Sequence, residues 1–251
     1  MGARLYGIPG SHPAMAAQLM LDHRGVEYKR VDLLTPMHRA IVRLLGFPGI
    51  TVPALKADGQ RIQGTGEIAR WLDSTGPGPP LVPEDPDLRR RVEEAEEWAD
   101  EDLQRPVRRT TLWALTQHPP AVRSFLEGAR TGMPAPLLAR TSGPFIKSAG
   151  RLNAVSDEQR AADLAAFPAI FDRIDGYIAE GTIGGEDLNV ADYQIGASIR
   201  LLMCLDDFRP ALEARPLGAH ALRVAPDFPG RIPPVLDDAA RATALGERDA
   251  A

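Results

Sequence analysis

In YGIPGSHPAMAAQL, residues 6–19, a strand-like start and a helix-like end meet at one hydroxyl, Ser11, followed by His12 and Pro13. The first amides of a helix have no intrahelical partner and point out of its N-terminus, so a hydroxyl at that corner sits beside a favourable host for an anion. Two readings are open: Ser11 caps the helix, as serine commonly does, or it stabilises the anionic form of a bound group. His12 reads either as a surface residue or as a group that tunes or replaces the serine. Arg105, Arg109 and Trp113 are spaced i, i+4, i+8 and share one helix face. Turned toward Ser11, that face would favour an anionic or carbonyl-bearing substrate; turned elsewhere, it is a solvated or interface stripe. Residues 93–102 hold seven acids (Glu93, Glu94, Glu96, Glu97, Asp100, Glu101, Asp102), most of which belong to a solvated face. Cys204 falls mid-helix and reads as an inert core thiol. The five histidines do not fall at ligand spacing, so no metal site is expected.

The elements that must position Ser11 follow from the patterning. Residues 3–8 read as a buried strand and 13–24 as a helix, with Pro13 in its first turn and Gly25 just past its end. VEYKRVDL, 26–33, alternates like a strand, and Ile41, Leu44 and Leu45 give 36–45 a helical spacing. Residues 53–57 form a strand, Asp58-Gly59 a hairpin turn and 61–63 its partner; EIARWLD, 67–73, is a helix. The order is β-α-β-α-β-β-α, with a parallel pair and an antiparallel edge.

GPGPPLVPEDP, 76–86, cannot continue a helix or pair centrally in a sheet, and reads as a linker. Beyond it, helical periods take over: Leu88, Val92, Ala95, Ala99 and Leu103; Leu164, Phe167, Phe171, Ile174 and Ile178; Ile195, Ile199 and Leu202. Pro168 should bend the second of these. In DLNVADY, Asn189 and Asp192 have the spacing of a capping box, with Leu188 and Tyr193 at the staple positions. Residues 131–153 are expected to form a long loop, and the chain after Pro216 to be irregular. The fold class is therefore α+β in two domains: 1–75, a linker 76–86, and an all-helical 87–251.

Composition narrows the function. The 251 residues are 44% hydrophobic and 25% charged, which supports a packed core. A net charge of −5, from 29 basic and 34 acidic residues, argues against a nucleic-acid surface. One cysteine permits no intramolecular disulfide and fits a reducing compartment. No apolar run reaches the roughly 18 residues of a membrane span, and the N-terminus has no signal-peptide pattern, so a cytoplasmic protein without a membrane partner is expected.

A small β-α-β-α-β-β-α domain, a proline linker and a helical domain with an internal capping box resemble a cytosolic glutathione transferase. YGIPGSHPAMAAQLML is similar to the first strand-loop-helix of serine-type, phi-like members; FPGITVPAL resembles the segment ending in Val-Pro; GTGEIARWL falls where the family carries Glu-Ser before a helix. The resemblance implies a thioredoxin-like first domain followed by an all-helical bundle. It implies that Ser11 donates a hydrogen bond to the sulfur of glutathione, the co-substrate, whose thiolate attacks a small electrophile, the chemistry of detoxification. It implies a cis Val52–Pro53 bond, with the Val52 backbone pairing the cysteinyl part. Thr65 takes the place of the serine that holds the γ-glutamyl carboxylate at a helix N-terminus. Gly64 replaces the usual Glu or Gln and removes a polar side chain, for which Gln63 or Glu67 would have to compensate. His38 and Arg39 fall where phi-type members place basic residues for the glycyl carboxylate, and one acid of 93–102 meets the γ-glutamyl amine. A homodimer is implied as well. The alternatives are a non-catalytic ligand-binding or scaffold protein on the same fold, or a transferase using another low-molecular-weight thiol. Thiol–disulfide chemistry is disfavoured, because the first half has no cysteine.

Overall fold

The computed structural model describes residues 2–75, 78–131 and 156–247. Four strands form one sheet in the order β2-β1-β3-β4: β1 (Ala3–Gly7), β2 (Tyr28–Asp32), β3 (Ala54–Ala57) and β4 (Gln60–Gln63). β1 pairs parallel with β2 and antiparallel with β3, and β3 pairs antiparallel with β4 through Asp58-Gly59, both at positive φ. The first connection needs a crossover, and α1 (His12–His23) supplies it. Helices α2 (His38–Leu44) and α3 (Thr65–Thr75) complete the β-α-β-α-β-β-α unit of a thioredoxin-like domain.

The period of two along β1 sorts side chains onto two cores. Leu5 joins Met20, Leu21, Leu55, Ile68 and Leu72 under α1 and α3. Tyr6 faces the other way and packs with Leu33, Val42, Phe47 and Ala54 under α2. The first cluster runs without interruption into the helical part, through Leu81 to Val92, Phe167 and Ile199.

The proline-rich segment is anchored by polar contacts. Asp73 accepts hydrogen bonds from the amides of Leu81 and Val82, each 2.9 Å, and from Arg24 Nη1 at 2.8 Å. Leu81 is fully buried, and its carbonyl accepts the Val190 amide at 2.9 Å.

Beyond it come α4 (Pro86–Trp98), a π-helical turn (Ala99–Leu103), α5 (Gln104–Gln117), α6 (Val122–Phe125), α7 (Asp157–Ala179) and α8 (Val190–Leu202). All thirteen residues of α8 are buried, and it packs on α1. Its start carries the capping box expected of Asn189 and Asp192. Helix α7 contains Pro168 and runs from Asp157 to Ala179 as one element. Helix α9 (Arg209–Glu213) follows, and the expectation of an irregular chain after Pro216 is corrected by α10 (Pro216–Val224) and α11 (Asp238–Leu245). Pro216 is the first residue of α10, where its missing amide proton costs nothing, and the Asp237 carboxylate caps α11 through the Ala240 amide at 2.8 Å. The expected loop 131–153 lies outside the described residues, apart from its first residue. Among the described residues no helix is long and apolar enough to cross a membrane.

Candidate active site

Ser11 occupies the N-cap of α1 in an extended conformation, and its Oγ accepts the Ala14 amide at a long 3.4 Å. Capping uses a lone pair and leaves the hydroxyl proton uncommitted among the described residues. The two readings of Ser11 are thus compatible: the oxygen can cap while the proton is donated to a ligand. No basic residue lies in the first turn to compete, apart from His12.

His12 does not lie on the surface. It is 2% exposed, and its Nδ1 lies 2.9 Å from Ser198 Oγ on α8. Burial, and then the charge of Arg108, pushes its pKa down to about 3, so the ring is neutral at pH 7.

The strand-helix corner brings several expected residues together. Val52–Pro53 is cis, and the Pro53 carbonyl accepts the Gly64 amide at 3.0 Å. Gly64 has φ +102°, and a Cβ there would meet open space. Thr65 begins α3 and is 5% exposed. A cavity of about 500 Å³ opens beside it, lined by Gln63, Gly64, Thr65, Gly66, Glu67 and Arg70 on one side. Glu93, Glu96, Glu97 and Asp100, from α4 and the π-helical turn, form the other. Of the seven acids in 93–102, four therefore face a single site. Burial and the neighbouring Glu96 hold the Asp100 carboxyl above its ordinary range, while a contact with the Gln104 amide pulls it back.

Other expectations are redirected. The Gln63 amide does not replace the side chain missing at Gly64. It accepts the Gly49 amide at 2.6 Å and donates to the Thr51 carbonyl at 2.7 Å, so it braces the segment leading to Val52. His38 is buried, and burial, then Arg39, lowers its pKa; Arg39 itself is exposed. Neither lines the cavity, and neither does Ser11. The Arg105–Arg109–Trp113 face does not turn to Ser11: Arg109 forms a two-pronged pair with Asp163 at 2.6 and 2.7 Å, and Arg160 stacks 4.8 Å over Trp113. Both partners are on α7.

Residues 5–80 match the family model described as the glutathione S-transferase N-terminal domain. No curated protein matches the chain in sequence. Three solved structures are similar throughout. A glutathione transferase of Phanerochaete chrysosporium is 16% identical, with a TM-score of 0.64, over 90% of this chain and 96% of that one. A glutathione S-transferase of Ceriporiopsis subvermispora, in complex with glutathione, is 17% identical, with a TM-score of 0.57, over 95% and 100%. One from Rhodospirillum rubrum F11 is 20% identical, also at 0.57, over 97% and 99%.

The fold is that of the glutathione transferases. On that fold, three contributors around Ser11 and Thr65 had no local signal. Phe125 of α6 lies against Gly10, Arg108 acts on His12, and Gly66 leaves room for Glu96 to reach the start of α3. Each depends on a residue at least 26 positions away, which no spacing rule within one element can register.

Proposed function

We propose that the protein is a glutathione transferase of the serine type, related to the phi-like members. The observation that supports this most is the cavity at the start of α3, which sets a buried hydroxyl and helix amides opposite four carboxylates. A γ-glutamyl end carries a carboxylate and an ammonium on one carbon. Thr65 and the α3 N-terminus suit the first, and Glu97 and Asp100 suit the second. Val52 precedes the cis Pro53, and its backbone would pair the cysteinyl part as an added strand. His38 and Arg39 would serve the glycyl end, with Arg39 the exposed, charged member.

Ser11 would then hold the thiolate. A free thiol ionises near ~8.5, and a helix N-terminus lowers that value. The thiol proton leaves to water, the sulfur forms a bond to the electrophilic carbon, and the leaving group departs with its bonding pair. Homodimerisation, a cytoplasmic location and a detoxifying role complete the reading, and domain limits of 1–75 and 87–251 with a linker 76–86 fit it.

Turnover of an aryl halide with glutathione tests it. We expect activity in the wild type and a loss of about 100-fold in Ser11→Ala. Gly64 favours a second reading: a site with no side chain there could serve a carrier or another small thiol. Glutathione-independent ligand binding with no turnover would select it.

A further inference from the structure

We infer that His12 is a positioning residue, through which Ser198 on α8 of the helical part sets the geometry of Ser11. Ser198 Oγ has one proton, and it donates that proton to the Gln194 carbonyl at 2.7 Å. Toward His12, 2.9 Å away, the same oxygen acts as acceptor. Nδ1 of His12 therefore carries the ring proton, and Nε2 is bare. Of the two tautomers, one is selected by a residue 186 positions away.

The ring is fixed while the residue it follows is Ser11. His12 opens α1 directly after the N-cap, so the orientation of its backbone also orients the Ser11 carbonyl and the first free amides. The other flank of the turn is held by the same part of the molecule. Gly10 has φ +73°, and a Cβ there would come 2.9 Å from Phe125 Cδ1. Phe125 is 5% exposed and packs on Gly230 as well. The Ser11 turn is thus gripped by α8 through His12 and by α6 through Gly10. A hydroxyl that must lie within hydrogen-bond reach of a sulfur is sensitive to such placement, because sub-ångström to ångström errors cost up to about 100-fold in rate.

The inference rests on the transferase reading only for its kinetic arm; its spectroscopic arm needs no ligand. Histidine-selective ¹⁵N NMR should show His12 as the Nδ1–H tautomer, and Ser198→Ala should shift the Gly10 and Ser11 amide resonances. In turnover with glutathione and an aryl halide, Ser198→Ala and His12→Phe should lower kcat about tenfold, with KM for glutathione within about twofold. His12→Asn keeps a donor at the Nδ1 position and should recover most of kcat. An Nε2–H tautomer would overturn the inference. So would a Ser198→Ala protein with unchanged amide shifts, or with unchanged kcat in an active wild type. If His12→Phe does not fold, Ser198→Ala decides alone. An inactive wild type would refute the transferase reading and leave the NMR result to judge His12.

Discussion

Glu96 reaches across from α4 to the first turn of α3, where its carboxylate takes two hydrogen bonds from Arg70, at 2.9 and 3.0 Å. A side chain at Gly66 would collide with Glu96 Oε1. The glycine, the acid and the arginine therefore form one unit that joins the two parts of the molecule beside the cavity. We expect Gly66→Ala to lower the unfolding free energy in urea by about 1–2 kcal/mol. Combined with Arg70→Ala, the two losses should be less than additive, since either one breaks the pair.

Gly64 differs from Gly66 in the origin of its requirement. Nothing crowds a Cβ at 64, yet its φ of +102° is one that L side chains rarely adopt. Gly64→Ala should cost about 1–2 kcal/mol through backbone strain alone. Urea unfolding will report it, and a neutral result would show that the corner relaxes.

Asp73 anchors three donors at once: two amides of the proline-rich segment and Arg24. Asp73→Ala should destabilise by about 2–3 kcal/mol and speed proteolytic cleavage between residues 78 and 85. Asp73→Asn keeps acceptor capacity and should lose less.

Acid should unfold the protein through its buried histidines. Burial foremost, and then Arg108 or Arg223, pushes His12 and His220 down to about 3 and about 4. The unfolded chain protonates both below about pH 6.5, whereas the folded chain does not, so their contribution is lost as pH falls from there. Asp192 runs the other way: burial pushes it up to about 6 from 3.8, and the folded chain takes that proton first. His220 Nε2 and Asp192 Oδ1 lie 3.4 Å apart, and with His220 uncharged at neutral pH the contact is not an ion pair. Asp192 offsets one histidine below pH 6, leaving a net slope of at most ~1.4 kcal/mol per pH unit between pH 6 and 4. His12→Asn should flatten that slope in urea titrations at pH 7, 6 and 5.

What the sequence disclosed and what it hid divide along contact distance. The alternation of 26–33, the Asp58-Gly59 turn and the Asn189–Asp192 spacing encode local hydrogen bonds, and they appear where expected. The tail misled because its prolines read as breakers, although Pro216 starts a helix rather than ending one. His12 looked exposed because a helix start usually is; its burial comes from α8, far along the chain. Spacing leaves the roles of Gln63 and Arg109 open, because their partners, Gly49, Thr51 and Asp163, are out of local view.

Calorimetric titration with reduced glutathione, on the wild type and on Thr65→Ala, tests thiol binding at the start of α3 without any acceptor. We expect saturable binding that Thr65→Ala weakens by about tenfold, the equivalent of one lost charge-assisted hydrogen bond of about 1.4 kcal/mol. No binding by the wild type at millimolar glutathione would contradict it.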